Sequence, residues 1–295
     1  MFTYGCIHSL YGLASKRACL HHKRSSPSAL LRGERAPPTL EAIGSHWEKD
    51  MISAMIDGEK RPPIQKGERT TCEGCGGVLN AVMPQFNAAH WRHKGGDCDP
   101  WSEAEGEWHR SWKSLFRPAH CEVFMRDPHS QEIHRADVMC PGEGAKGVVL
   151  ELQNSHISEE ERSARETFYS RDHRMFWLLN MHRTPSLAFS FGTCLSFQET
   201  KKESFGGRDF YHMEWFMRGS MLDKWKQSRA HVFLNYDGQV YYLATNAACR
   251  PIVSRQAKGH FALAALSIRE FLSAVTGGNE SAIQLPPRSA AVGGQ

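Results

Sequence analysis

His134-Arg135-Ala136-Asp137-Val138, followed after a short gap by Val148-Val149-Leu150-Glu151-Leu152-Gln153-Asn154-Ser155, is the stretch around which the chain is arranged. The first run alternates Ile133, Arg135 and Asp137 against His134, Ala136 and Val138, and the second is rich in valine and leucine. Pro141-Gly142-Glu143-Gly144 between them is turn chemistry, so the spacing predicts a β-hairpin. A turn centred near Gly144 sets Asp137 opposite Glu151, with Cβ atoms about 4.5–5.5 Å apart. Like charges facing each other on a sheet are destabilising, and a shared proton or a bound cation relieves them. Mg²⁺ suits such a pair, because it takes one or two carboxylates and leaves its remaining positions to water and substrate phosphates. The period of two puts Gln153 on the face of Glu151. From spacing alone, an exposed hairpin face with unrelated charges stands beside this reading.

Upstream, Cys72-x-x-Cys75-Gly76-Gly77, an apolar strand through Val78 and Val82, then His90-Trp91-Arg92-His93 and Cys98 have the spacing of a zinc ribbon-like unit. Cys72, Cys75, His93 and Cys98 are the expected Zn²⁺ ligands, with His90 as the alternative to His93, since the two point to opposite faces of a strand. A redox-active C-x-x-C lacks the strand-helix setting that such a motif needs. A zinc hydrolase built on His90, His93 and Cys98 lacks a positioned general base.

Ser102 to Arg117 reads as a helix, with Ser102 and Glu105 as a capping box and Pro118 closing the segment. Trp108, Trp112, Leu115 and Phe116 form a core stripe. Glu105, His109 and Lys113, at i, i+4 and i+8, form a second stripe beside it, which on spacing alone is an exposed ion-pair ladder. A strand follows from Cys121 to Met125. Past the hairpin, Ser158-Glu159-Glu160-Glu161 opens a capped helix whose Arg162, Arg165 and Tyr169 share a face, either to grip a phosphate backbone or simply to be solvated. Met175 to Asn180 is of strand length. The order is helix, three strands, helix, strand.

Asp137 with Glu151-Leu152-Gln153 resembles the D…(E/D)-x-K signature of the PD-(D/E)XK nuclease superfamily, with Gln153 where that pattern has lysine. More specifically, residues 98–180 resemble the competence CoiA-like family, through Trp101-Ser102-Glu103-Ala104-Glu105-Gly106-Glu107-Trp108-His109-Arg110-Ser111-Trp112-Lys113, then His134 to Val138, Glu151 to Ser155, and Arg165-Glu166-x-Phe168-Tyr169. These motifs span about the middle third of the chain. The resemblance implies an α/β fold, a restriction-endonuclease-like core with a mixed central sheet flanked by helices, preceded by the zinc ribbon-like unit. It implies a metal-dependent DNA nuclease that hydrolyses phosphodiester bonds, with Mg²⁺ or Mn²⁺ at Asp137 and Glu151. Glu105, His109 and Gln153 complete the catalytic set, with Glu107 as the alternative acid. Lys113, Ser155, Arg165 and Tyr169 are the implied nucleic-acid contacts. Glutamine lacks the point charge of lysine, so a non-catalytic nucleic-acid-binding module of the same fold is the rival reading. The implied partners are DNA and recombination or repair proteins.

The 295 residues can hold a large core. The net charge of +4 says little about the fold, because residues 1–35 carry six Lys or Arg against one acid and the remainder sums to −1. No run of about 18 apolar residues offers a membrane span. Nine cysteines without a framework spacing or a secretory leader point to a reducing, cytoplasmic setting. The expected organisation is a disordered extension over 1–50, a strand and the zinc unit over 51–100, the nuclease core over 101–184, an α/β subdomain over 185–276, and a disordered tail over 277–295. Met51 to Gly58 resembles the family's opening strand. In the subdomain, 186–197 reads as strand, Glu214 to Gln227 as helix, and Val232 to Leu243 as a hairpin turned at Asp237-Gly238.

Overall fold

The central hairpin forms in the register its turn chemistry implies: Val138 faces Leu150, Met139 faces Val149, and Cys140 faces Val148. The computed structural model describes residues 51–95, 98–101, 103, 105–142, 146–196, 201–215 and 221–283. The expected extension over 1–50, the capping residue Ser102 and the turn residues Glu143 and Gly144 lie outside these.

The first elements build the small cysteine-bearing unit. Strands β1 (Ala54–Ile56) and β2 (Glu59–Arg61) make a hairpin turned at Asp57 and Gly58, both at positive φ. Strands β3 (Arg69–Thr71), β4 (Val78–Val82) and β5 (His90–His93) form a three-stranded antiparallel sheet. Leu79 and Trp91 from this sheet pack with Met51, Ala54 and Cys72, and Phe124 of the next sheet covers them.

Helix α1 (Glu107–Lys113), strands β6 (Cys121–Arg126), β7 (Ile133–Cys140) and β8 (Val148–Gln153), helix α2 (Glu159–Tyr169) and strand β9 (Arg174–Asn180) follow in the expected order. Helix α2 starts where anticipated: the Ser158 hydroxyl accepts the Glu161 amide at 3.1 Å, and three glutamates occupy the first turn at the helix's positive end. Helix α1 does not. It begins at Glu107 with Gly106 as N-cap and no side-chain cap, so Glu105 precedes the helix instead of heading a stripe along it. The physical reason is that the Glu103 and Glu105 carboxylates are held elsewhere, by the end of β8 and by Lys113.

The remainder comprises α3 (Pro185–Ser196), β10 (Lys202–Phe205), β11 (Arg208–Glu214), α4 (Met221–Trp225), β12 (His231–Tyr236), β13 (Gln239–Leu243), α5 (Asn246–Val253), β14 (His260–Leu266) and α6 (Ile268–Thr276). The expected strand over 186–197 is the helix α3, whose Leu187, Phe191, Cys194 and Leu195 recur at helical spacing against the core. Of the helix expected over Glu214 to Gln227, Met221–Trp225 is helical, while Glu214 ends a strand. The β12–β13 hairpin turns at Asp237 and Gly238, both at positive φ, as the Asp-Gly pair requires.

Nine strands make one mixed sheet in the order β10-β11-β14-β13-β12-β9-β8-β7-β6. Its centre, β8-β9-β12, is parallel and its flanks are antiparallel. Residues 185–276 are therefore a continuation of the core sheet rather than a subdomain, and the described residues all fall in one compact unit, His46–Gln295. The expected tail is ordered at its start: Gly277 caps α6, and Ala282 is buried where its carbonyl accepts the Arg117 amide at 3.1 Å.

Helices cover both faces. Phe168 and Tyr169 of α2, Phe191 of α3 and Trp225 of α4 meet Val149, Trp177 and Val232 on one side. Trp112 of α1 and Phe271 of α6 meet Val148, Leu150 and Leu152 on the other. The parity of β8 thus sends Glu151 and Gln153, like Val149, to the side of α2. Among the described residues no helix is long and apolar enough to cross a membrane.

Candidate metal centre and buried acidic site

The cysteine unit brings four ligands together. One ligand atom each from Cys72, Cys75, His93 and Cys98 lies within 4.8 Å of the others. The Sγ atoms of Cys72 and Cys98 are 3.7 Å apart, and Cys75 Sγ is 3.6 Å from His93 Nε2. A tetrahedral zinc with bonds of about 2.3 Å to sulfur and about 2.0 Å to nitrogen has edges of roughly 3.8 Å and 3.5 Å, so the set is already at coordinating size. The knuckle is shaped by backbone: the Gly74 amide donates to Cys72 Sγ and the Gly77 amide to Cys75 Sγ, each at 3.3 Å. Gly76 supplies the positive φ of the turn, and a Cβ at Gly74 would stand 2.4 Å from the Phe124 ring. His93 belongs to the cluster and His90 does not; the His90 Nδ1 lies 2.9 Å from the Ala88 carbonyl. Four protein ligands close the shell, which leaves no open position for a hydrolytic zinc.

From Cys98 the chain runs straight into the acidic site. Asp99, buried, accepts from the Arg135 amide at 2.8 Å and the Trp101 amide at 3.0 Å, and its Oδ1 is 3.0 Å from His134 Nδ1. Trp101 stacks on His134 at 3.2 Å between ring centroids. Glu103 accepts the Asn154 and Ser155 amides at 3.2 Å and the Ser155 hydroxyl at 2.7 Å, and it also takes the Gln153 side-chain amide. Glu105 receives Lys113.

Asp137 and Glu151 are neighbours one step past the last ladder pair. The Asp137 amide donates to Glu151 Oε1 at 3.3 Å, and the Leu152 amide donates to Asp137 Oδ2 at 2.9 Å. Two cations lie against them. Lys113 Nζ lies 2.9 Å from Asp137 Oδ1 and 3.8 Å from Glu122, while Arg165 donates to Glu151 Oε2 at 2.9 Å. His109 Nε2 is 3.1 Å from the Leu152 carbonyl and 3.5 Å from Glu103.

The electrostatics split the two carboxylates. Burial and the adjacent Asp137 push Glu151 up to about 8, against the pull of Arg165. Asp137 goes the other way: burial opposes its charge, but Lys113 and His109 outweigh it and hold the group below the usual range. Burial raises Glu105. Burial also opposes the charge on His109, yet the Glu103 hydrogen bond and the Asp137 and Glu105 charges lift it above the ordinary imidazole value. One carboxylate that keeps its proton beside one that has lost it is the usual outcome of such pairs.

A cavity of about 20 Å³ lies between Glu103, Glu105, His109, Asp137, Glu151 and Arg165. That is room for roughly one water or one ion. Two buried polar atoms of its lining have no partner, Glu105 Oε2 and His109 Nδ1. Glu105 Oε2 accepts when that carboxyl is ionised, whereas His109 Nδ1 donates once the raised imidazole carries its proton. With Asp137 ionised beside it, the Glu105 lone pair suits a cation, while the Arg135 and Arg165 guanidiniums in the same lining oppose one.

The expected catalytic residues Glu105, His109, Asp137, Glu151 and Gln153 are thus brought to one place. Three of the expected nucleic-acid contacts are not at a surface. Lys113, Arg165 and Tyr169 are all buried: the first two because the acids require counter-charges, the third because its ring packs in the core. Ser155 is exposed and bonded to Glu103. Glu107 is exposed and does not line this cavity. Glu103 and Asp99 were not singled out from sequence; two acids spaced by four after a ligand cysteine are indistinguishable there from surface charge. No family model, no curated protein and no solved structure matches the chain.

Proposed function

We propose that the chain is a metal-dependent DNA nuclease of the competence CoiA-like kind, in which α1, β6 to β9 and α2 form a PD-(D/E)XK-like core. The observation that carries this reading is the Asp137–Glu151 pair, joined through each other's backbone, with Lys113 at 2.9 Å from Asp137. Lys113 supplies from helix α1 the positive charge that Gln153 does not bring from β8. Asp137, Glu151 and Glu105 are the residues that would hold Mg²⁺ or Mn²⁺, and the unpartnered Glu105 Oε2 belongs to their common cavity. When bound, the ion would acidify a water and neutralise charge on the attacked phosphate. Asp137, held ionised, would anchor such a cation, and Glu151 would give up its proton to share it. Glu103 fixes Gln153, Asn154 and Ser155, the end of β8 that would border the phosphate. Zn²⁺ at Cys72, Cys75, His93 and Cys98 has a structural role.

The non-catalytic binding module is favoured by one observation: Lys113 and Arg165 already sit against the two acids, so a divalent ion must compete with them. Calorimetric titration of Mn²⁺ separates the two. The nuclease reading expects binding by the wild type that is lost in Asp137→Asn. Wild-type protein that takes up no Mn²⁺ beyond what the variant binds leaves the module as the account.

A further inference from the structure

Beside the acidic site, at the start of α2, His156, Ser158, Glu159, Arg162, Arg183 and Lys224 line a second cavity, floored by Met221 and Trp225, of about 40 Å³. One water needs about 10–15 Å³ by this measure, so the space takes a group of a few heavy atoms rather than a whole nucleotide.

Its charge is unbalanced. Arg183 is half-buried, yet it donates only to the Ser155 carbonyl at 2.8 Å and to the Met221 sulfur at 3.6 Å. Among the described residues no carboxylate lies within ion-pair distance of Arg183 or of Lys224. Burial accordingly pulls the Arg183 guanidinium down, with only the more distant Glu103 to offset it. A desolvated guanidinium without a counter-ion is costly, and an anion relieves the cost. Arg162, buried in the same wall, bonds to the Lys224 carbonyl and lies 3.9 Å from Glu159 and 3.8 Å from Glu166, so its charge is shared out. The three glutamates in the first turn of α2 already occupy that helix's positive end, which leaves the side chains Arg183 and Lys224 as the attraction.

The cavity is wired to the acids. Arg183 holds Ser155, Ser155 holds Glu103, and Glu103 holds Gln153, two residues past Glu151. On α2, Arg162 precedes the Glu151 partner Arg165 by three residues, a rise of about 4.5 Å.

We infer that this cavity binds a phosphate of the nucleic-acid backbone next to the one presented to Asp137 and Glu151, with Arg183 and Lys224 as its cationic contacts. The inference rests on the nucleic-acid reading of the acidic site and adds where the strand runs from it: across the end of β8, over Ser155, toward α4.

The test is binding of a short fluorescein-labelled DNA strand, followed by anisotropy over a series of KCl concentrations with no divalent ion added. Arg183→Gln and Lys224→Gln should each weaken binding several-fold and lower the slope of log affinity against log salt by about one, the double variant by about two. Arg183→Lys, which keeps the charge, should retain the wild-type slope and guards against an effect on folding. Wild-type affinity and slope in the glutamine variants would overturn the assignment. So would loss of inorganic phosphate binding in Arg183→Gln, measured by calorimetry, with strand binding unchanged, since the cavity would then take a free anion. In a separate incubation with Mn²⁺, wild-type protein that leaves the strand intact while the salt slopes fall as stated would sink the catalytic reading and leave the phosphate site standing.

Discussion

Asp137 and Glu151 are tied through each other's backbone: the amide of Asp137 donates to the Glu151 carboxylate, and the Asp137 carboxylate accepts the amide of Leu152, the residue after Glu151. This geometry fixes two acids side by side at the end of a buried ladder, where they can separate only if the strands do. Everything around them is a response to that charge.

Lys113 is the main response, and removing it should be expensive. Lys113→Met would leave Asp137, Glu105 and Glu122 without their shared cation in a buried setting. Stripping one member of such a cluster costs about 3–5 kcal/mol. Denaturant unfolding should show a loss of that order, and added Mn²⁺ should restore part of it in the variant. A loss under about 1 kcal/mol would show that the acids are not charged together.

Stability of the metal-free protein should fall as pH rises from about 5 to about 8. Glu151 keeps its proton in the fold up to about 8, whereas an unfolded carboxyl loses it near 4.3, so over that window the unfolded state binds fewer protons. His109, raised by its acid neighbours, contributes stability below about 6.5 that is lost as pH climbs through its own value, in the same direction. Asp137, lowered, loses its contribution only below about 3.9 and does not oppose the trend. Thermal melts of the wild type and Glu151→Gln across the window check this, and the variant should have the flatter profile. Parallel profiles would contradict it.

Metal analysis should find one zinc per chain. His93→Ala and Cys98→Ser should lose it and melt at lower temperature, because ligand binding and folding are one process in such units. His90→Ala should keep its zinc, since His90 is turned to the Ala88 carbonyl. Zinc lost from the His90 variant but kept in the His93 variant would reverse the assignment.

What could be read from sequence was local. The hairpin register followed from turn residues and alternation, and the ligand set followed from a C-x-x-C knuckle and a strand with histidines on opposite faces. What could not be read was set at a distance. The parallel pairing of β9 with β12 joins residues more than fifty apart, with α3, β10, β11 and α4 between them, and nothing in either strand names the other. Lys113 and Arg165 carry charges that periodicity assigns to solvent, and only the folded neighbourhood of Glu105, Asp137 and Glu151 explains their burial. Helix α1 starts late because Glu103 and Glu105 are claimed by β8 and Lys113, a competition that capping statistics do not contain.

The most direct measurement is incubation of the purified chain with single-stranded and double-stranded DNA, with and without Mg²⁺ or Mn²⁺, beside Asp137→Asn and Glu151→Gln variants shown by circular dichroism to be folded. The account predicts cleavage that requires the ion and disappears in both variants. DNA left intact by the wild type in every condition, with all three proteins binding it equally, would contradict it.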